Sequence, residues 1–328
     1  MKTGFLVLKK LKEQGGDPIS GQEIADELGL SRNAIWKAIN SLNERGFSIE
    51  SIPRKGYILR DITKRIDDDC LSLEVYKYFD EVKLDVYKKS QSTNSLCKEN
   101  MDKGSKASLV VSLMQENGRG RVGRTFYSPR GGLYFSFAYR PEGRVMDNGL
   151  LTIAAGLSVY KAFLENYGIE LDIKWVNDLI YRDKKVGGIL TEASLNLETG
   201  LVDYIICGIG LNIKNPDGGF PDDLKEIAGF IFEKMPDNFN PNVLIGQIIR
   251  NYFVYLDDPN LIEKYKKVCY NLGKEVYFTR NNIEYHGLAK DINEKGELIV
   301  SLYGGKDINL SFGEVKIRGK RSEDREIS

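Results

Sequence analysis

The segment Leu109 to Arg140, LVVSLMQENGRGRVGRTFYSPRGGLYFSFAYR, decides between two architectures. Within it Gly118, Gly120 and Gly123 satisfy G-x-G-x-x-G. That spacing holds a dinucleotide only where a strand leads in and a helix leads out, so that pyrophosphate rests on the helix N-terminus. Leu109 to Met114 supplies a strand. The exit is not a helix: Pro129 and Gly131-Gly132 break it, and Leu133 to Tyr139 carries the aromatic alternation of a strand. The doubly wound reading fails on this context. What remains is a loop in which glycine and arginine alternate, Gly118-Arg119-Gly120-Arg121-Val122-Gly123-Arg124. Glycine lets the backbone approach and move, and guanidinium forks match phosphate or carboxylate. The combination predicts an anion-binding loop that orders on its ligand; a solvated loop is the plain alternative.

Around this loop, strands are expected at Lys83–Lys88, Ile173–Trp175, Leu179–Tyr181, Gly188–Glu192 and Tyr204–Asn212, with helices near Asn94–Lys103, Leu150–Tyr167 and Asn242–Leu256. Several strands are only a few residues apart, which implies hairpins and a mixed or antiparallel sheet. The fold class is multidomain α+β, with a central domain over residues 66–270.

The first 65 residues read differently. Ser20-Gly21-Gln22-Glu23 fits a capping box, Leu28-Gly29-Leu30 a turn, and Ser31 a second cap. Ile35, Ala38, Ile39 and Leu42 form the inner stripe of the following helix, leaving Arg32, Asn33, Trp36, Lys37 and Asn40 outside. Gly21 to Asn40 is therefore a helix-turn-helix. The alternating FSIESIPRKGYIL then makes a wing with Arg54 and Lys55 at its tip. This unit carries more Lys and Arg than Asp and Glu although the whole chain has net charge 0, and DNA binding is the expectation, with Ser31, Arg32, Asn33, Trp36, Lys37, Asn40, Arg54 and Lys55 as contacts. A small interaction domain of the same shape is the alternative. The charged run Asp61 to Asp69 reads as a linker. Residues 271–318, with short strands between turns, suit a small SH3-like barrel, and 319–328 reads as a disordered tail.

Composition narrows the chemistry. Cys70, Cys97, Cys207 and Cys269 lie far apart without metal-ligand spacing, and the single histidine, His286, sits in a late strand-like segment. Neither a disulfide framework, nor a permanent metal, nor a His-based triad is expected. No apolar run approaches the roughly 20 residues of a membrane span, and a cytoplasmic setting with no membrane partner is expected.

Two further clusters accompany the loop. In IKWVNDLIYRDKKVGGILTEAS, Lys174, Asn177 and Asp178 surround one turn, and Lys184-Lys185 stand at the next, before Gly188. Asn177-Asp178 alone is an ordinary turn pair; with two lysines it resembles a phosphate- and metal-handling edge. In QSTNS, Ser92, Thr93 and Asn94 follow a strand and open a helix, and alone they make a good N-cap.

Taken in order, the winged helix, STN, GRGRxGR followed by SPxGGLY, KWxND, KxxGIL and the final small domain resemble the bifunctional biotin protein ligases that also repress biotin genes. The resemblance spans the whole chain. It implies ATP with Mg²⁺ and biotin as substrates, no permanently bound cofactor, a biotin carboxyl carrier protein as acceptor, and operator DNA as a second partner. It also implies a homodimer promoted by biotinyl-AMP. By position, Ser92, Thr93, Asn94, Gln115, Gly118, Arg119, Gly120, Arg121, Lys185, Gly188 and Gly208 would bind biotin. Arg121, Arg124, Phe126, Asn177 and Asn212 would bind the nucleotide. Lys185, Arg121, Lys174, Asn177 and Asp178 would serve catalysis, with Mg²⁺ near Asn177 and Asp178. Two positions depart from the family pattern: Phe126 stands where tryptophan is frequent, and Val176 where proline is. A lipoate ligase and a ligand-sensing regulator without catalysis are the competing readings.

Overall fold

The computed structural model describes residues 3–79, 81–141, 147–196, 198, 200–280, 282–311, 313 and 315–317; the tail at 319–328 lies outside them. Helices α1 (Thr3–Glu13), α2 (Gly21–Leu28) and α3 (Arg32–Glu44) precede the hairpin β1 (Ser48–Ile52) and β2 (Gly56–Asp61). Ser20 and Ser31 cap α2 and α3 by accepting from the N–H groups of Glu23 and Ala34, at 3.0 and 3.1 Å. Gly29 ends α2 at φ 64°, a left-handed conformation glycine adopts without strain. Ile24, Ile35, Ile39 and Leu42 fill this unit's core with Phe5, Leu8 and Leu11, while Trp36 is 53% exposed. Arg32, Asn33, Lys37, Arg54 and Lys55 are also exposed, and Asn40 is half-buried. An antiparallel bridge between Ile19 and Tyr57 fastens the wing to the start of α2.

The segment expected to link the domains contains the start of helix α4 (Asp68–Val75). Asp67 caps it, accepting from the N–H groups of Asp69 and Cys70. A run of aspartates reads as solvated, but here Arg45, at the end of α3, reaches Asp67 (2.9 Å), Asp68 (3.3 Å) and Asp69 (2.5 Å), which lets two of the three carboxylates be buried. Cys70 and Leu73 of α4 belong to the N-terminal core, and Leu71 and Val75 to the central one.

Seven strands form the central sheet: β3 (Val82–Tyr87), β4 (Ala107–Ser112), β5 (Leu133–Tyr139), β6 (Asp172–Lys174), β7 (Asp178–Tyr181), β8 (Lys184–Leu195) and β9 (Val202–Leu211). Their order is β3-β4-β5-β9-β8-β7-β6, and only the β3–β4 pair is parallel. Helices α5 (Thr93–Asp102), α6 (Asn148–Tyr167), α7 (Pro241–Leu256) and α8 (Leu261–Val268) complete the domain. Both faces are covered, so β4 and β5 are buried along almost their whole length. The last strands, β10 (Glu275–Arg280), β11 (Ile283–Ile292), β12 (Leu298–Leu302), β13 (Asp307–Leu310) and β14 (Val315–Ile317), form an antiparallel sheet in the order β13-β12-β11-β10-β14. The ladder is open among the described residues: β13 and β14 are its two edges, so the expected barrel closure is not seen. His286 is exposed on this sheet, stacked on Tyr277 at 5.8 Å. No helix among the described residues is long and apolar enough to cross a membrane.

Asn242, fully buried on α7, accepts from Asp67 N–H (3.0 Å) and donates to the carbonyls of Thr63 (3.2 Å) and Arg65 (2.8 Å). Removing that amide strands Asp67 N–H and Arg65 O, each costly to bury unpaired, while Thr63 O keeps Asn240 Nδ2 at 3.0 Å. Asn242→Ala should lower stability by about 1–3 kcal/mol in a urea titration. Lys103→Ala, which breaks only an exposed pair with Glu99, should stay within about 0.5 kcal/mol.

Candidate active site

A cavity of about 410 Å³ opens above the ends of β8 and β9. Its wall includes Ser92, Thr93, Asn94, Gln115, Arg119, Gly120, Arg121, Arg124, Phe126, Lys174, Asn177, Asp178, Lys185, Gly188 and Gly208. The three clusters singled out in the sequence, 24 or more residues apart along the chain, therefore face one space. Gly118 and Asn212 are not on the wall.

One end is neutral and closed. Ser92 caps α5, and Ser92, Thr93 and Asn94 are all buried. Thr93 donates to Gln115 Oε1 through its N–H (2.8 Å) and its hydroxyl (3.1 Å), and Gln115 Nε2 donates to Ser128 Oγ at 3.0 Å. Gly208 on β9 is required here, because a Cβ would fall 1.9 Å from Asn94 Oδ1.

The other end is cationic. Lys185 Nζ lies 2.6 Å from Asp178 Oδ1, and Arg121 donates to Asn177 Oδ1 at 3.3 Å. Asn177 in turn donates to Ile189 O at 3.1 Å, and its own carbonyl accepts from Ile189 N–H at 2.9 Å, pinning the turn between β6 and β7 to β8. The Trp175–Val176 peptide in this turn is cis. Burial pulls the Arg121 guanidinium below its ordinary range, and the neighbouring Asp178 opposes that shift. An arginine partly desolvated in this way gains more from an incoming anion than one fully in water. Lys184 turns away, donating to the carbonyls of Lys225 and Glu226.

Between the two ends lies the ring of Phe126. Cβ atoms on Gly188 and Gly210 would come within 3.2 and 2.6 Å of it, so two glycines make its slot, and Lys185 Nζ stands 5.9 Å from its centroid. The glycine-arginine loop folds as a small hairpin in which Arg119 bridges to Thr125, Gly120 N–H donates to Arg124 O (2.7 Å), and Phe126 N–H donates to Gly118 O (2.8 Å). At its tip Val122 has φ 55° and is 90% exposed. Asn212 serves beside the wall: its amide donates to Gly229 O at 2.9 Å, and Gly229 N–H donates to Lys185 O at the same distance, so it steadies the backbone that carries Lys185.

Several wall residues carried no signal in the sequence. Gly313 and Val315 come from the start of β14 and the residues before it, whereas Trp175 and Ile189 lie within the KWxND and KxxGIL motifs. Trp175 Nε1–H donates to Gly296 O at 3.0 Å, and Val276, Phe278 and Leu298 join the central core, which docks the C-terminal sheet near the cavity. Among the described residues, acidic side chains cluster closely enough to hold a cation at Asp67–Asp69, but that group is away from the cavity wall and Arg45 already fills it.

A hydrogen-bonding pole thus faces a cationic pole under a glycine-arginine loop, and comparison with known proteins gives the class as a ligase. Residues 86–212 match the Biotin/lipoate A/B protein ligase family, and residues 5–58 match an HTH domain. The chain is 30% identical over 312 residues to the bifunctional ligase/repressor BirA of Bacillus subtilis, spanning 91% of this chain and 94% of that protein. Against the protein of the same description in Escherichia coli the identity is 25%, over 91% of this chain and 95% of the other. The solved structure of a biotin protein ligase from Aquifex aeolicus in complex with biotin and ATP superposes with a TM-score of 0.59 at 29% identity, covering 73% of this chain and 99% of that one. The chain belongs to the family of bifunctional biotin protein ligases and repressors.

The loop's shape depends on Gly118, whose Cβ would fall 2.3 Å from Phe126 O and 2.5 Å from Ser128 Oγ. Gly118→Ala should loosen the hairpin by 1–2 kcal/mol, which multiplies the open population about 5- to 30-fold. Limited trypsin digestion should show cleavage after Arg119, Arg121 and Arg124 accelerating by that factor while the rest of the chain resists.

Proposed function

We propose that this protein is an ATP-dependent biotin protein ligase that also represses transcription. It joins biotin to ATP as biotinyl-5′-AMP, then passes the biotinyl group to a lysine of a biotin carboxyl carrier protein. The observation that carries this reading is the polarity of the cavity: neutral amide and hydroxyl groups of Ser92, Thr93, Asn94 and Gln115 face the same space as three arginines and two lysines. Biotin has a matching polarity, with an uncharged ureido ring and a carboxylate tail.

In the first step a biotin carboxylate oxygen attacks the α-phosphorus, forming an O–P bond as the bond to pyrophosphate breaks. Like charges meet, so fixed cations must stabilise the charge of the transition state. In this reading Lys185 sits between carboxylate and α-phosphate, and Arg121 and Arg124 take phosphate oxygens. Lys174, Asn177 and Asp178 face the pyrophosphate side. Asp178 offers one carboxylate oxygen beyond the one holding Lys185, which suits Mg²⁺, an ion that keeps few protein ligands beside substrate phosphates. Phe126 supplies a platform for adenine. Ser92, Thr93, Asn94 and Gln115 bind the ureido ring, with Gly188 and Gly208 admitting it, while Gly118 to Arg121 close over the ligand.

In the second step the acceptor amine attacks the acyl carbon and AMP leaves with its bonding pair. The mixed anhydride is already activated, so no side-chain nucleophile is required. The cysteines are poorly suited to one: burial pushes Cys97 and Cys70 up to about 12 and Cys269 to about 11, leaving almost no thiolate at neutral pH. Four free, buried cysteines also support a reducing, cytoplasmic setting.

The domains are assigned as 1–65 for the DNA-reading winged helix, 66–270 for catalysis and 271–318 for a small antiparallel unit whose Gly313 and Val315 reach the cavity wall. Ser31 is committed to its cap, which leaves Arg32, Asn33, Trp36, Lys37 and the wing residues Arg54 and Lys55 to meet DNA, with Asn40 beside them. One such helix reads too few base pairs for specificity, so the operator-bound form is a homodimer, with biotinyl-AMP favouring association by ordering the loop.

Incubation with ATP, Mg²⁺, biotin and an unmodified carrier domain should raise the carrier's intact mass by one biotinyl group. Lys185→Ala should slow that gain by about 100-fold or more while the variant stays folded. A gain with lipoate and none with biotin would assign the other ligase class. In sedimentation, biotinyl-AMP should shift monomer towards dimer; an unchanged distribution would remove the corepressor role.

A further inference from the structure

Asn94 is 5% exposed, and each of its polar atoms has a designated partner. Its Nδ2 donates to Glu192 Oε2 at 2.7 Å and to Leu190 O at 3.3 Å, while its Oδ1 accepts from Ser136 Oγ at 2.6 Å. The Glu192 carboxylate and the Leu190 carbonyl both accept, so together they hold Nδ2 on their side, and Ser136 donates to Oδ1 on the other. Neither residue lines the cavity. Ser136 is fully buried on β5, also 2.7 Å from Thr93 Oγ1, and its backbone pairs with that of Gly208. The missing Cβ of Gly208 leaves Asn94 Oδ1 room at the wall.

Resting on the biotin reading above, we propose that Ser136 and Glu192 are positioning residues that turn the Asn94 carbonyl towards the ligand and make the closed end of the cavity selective for a ligand N–H. A carbonyl oxygen has two lone pairs; Ser136 takes one, and the second is left for a ureido N–H. A ligand with oxygen in place of that N–H sets two acceptors against each other, an arrangement a desolvated site rejects strongly. Glutamine at 192 both donates and accepts, so it also admits the flipped Asn94 amide, which Leu190 O alone then opposes. The flipped amide would then offer N–H to the oxygen ligand.

The test is calorimetric titration of the full chain with biotin and with its two cyclic carbamate analogues, each having one ureido N–H replaced by oxygen. Wild type should prefer biotin over at least one carbamate by about 100-fold or more. Glu192→Gln, and independently Ser136→Ala, should compress that ratio about tenfold or more, chiefly by lost biotin affinity, while kcat at saturating biotin changes by less than about threefold. If Glu192→Gln does not fold, as judged by circular dichroism, Ser136→Ala decides. A ratio unchanged from wild type, whether both affinities fall in parallel or neither does, overturns the positioning role and leaves the ligase reading intact. A wild-type protein that binds no biotin overturns both.

Discussion

Steric exclusion at two glycine-bearing strands governs the shape of the site. On β8 and β9, Gly188, Gly208 and Gly210 present bare backbone where any other residue would place a Cβ against Phe126 or Asn94. Close packing leaves no slack for such a group. The bare patch lets α5 lower its N-terminus onto the sheet and lets the exit of the glycine-arginine loop lay an aromatic ring on it, beside the charged turn of β6–β7 that Asn177 pins to β8. Binding pole, platform and cationic edge all take their positions from these absences.

That arrangement was partly legible in the sequence. The winged helix could be read because capping residues and a period near 3.6 are local signals, and the central strands because hairpin spacing is local as well. The glycine-arginine loop was legible through its failure to continue as a helix. Helix α4 was not, because Asp67 to Asp69 reads as solvated chain unless Arg45, more than 20 residues away, is known to cover it. Glu192 and Ser136 were equally silent: each sits in a strand, and only the tertiary meeting with Asn94 gives it a task. Gly313 and Val315 belong to a sheet whose docking on the cavity no pattern announces. The barrel expected from the spacing of the last strands is an open ladder, since strand count and turn spacing say nothing of whether edges meet.

The chemistry follows from charge held in a place that water leaves. Arg121 is partly desolvated before any ligand arrives, and Lys185 is restrained by one carboxylate oxygen. Preorganised cations need little rearrangement as negative charge accumulates on transferring oxygens. In the proposed reaction the same enclosure would protect an acyl-adenylate, whose competing fate in water is hydrolysis.

Helix α4 has a structural consequence of its own. Cys70 and Leu73 complete one hydrophobic core while Leu71 and Val75 complete another, on a helix of eight residues. Gly246 of α7 is packed so closely that a Cβ there would lie 2.4 Å from that of Glu74, whose carboxylate also holds Lys12 of α1 at 2.9 Å. The regulatory module is thus not a bead on a string. A ligase-only protein obtained by cutting the chain at residue 65 would carry an oily scar where α1 and α3 had been, and a lineage that discards the DNA-reading module must repaint that helix with polar side chains to remain free of aggregation.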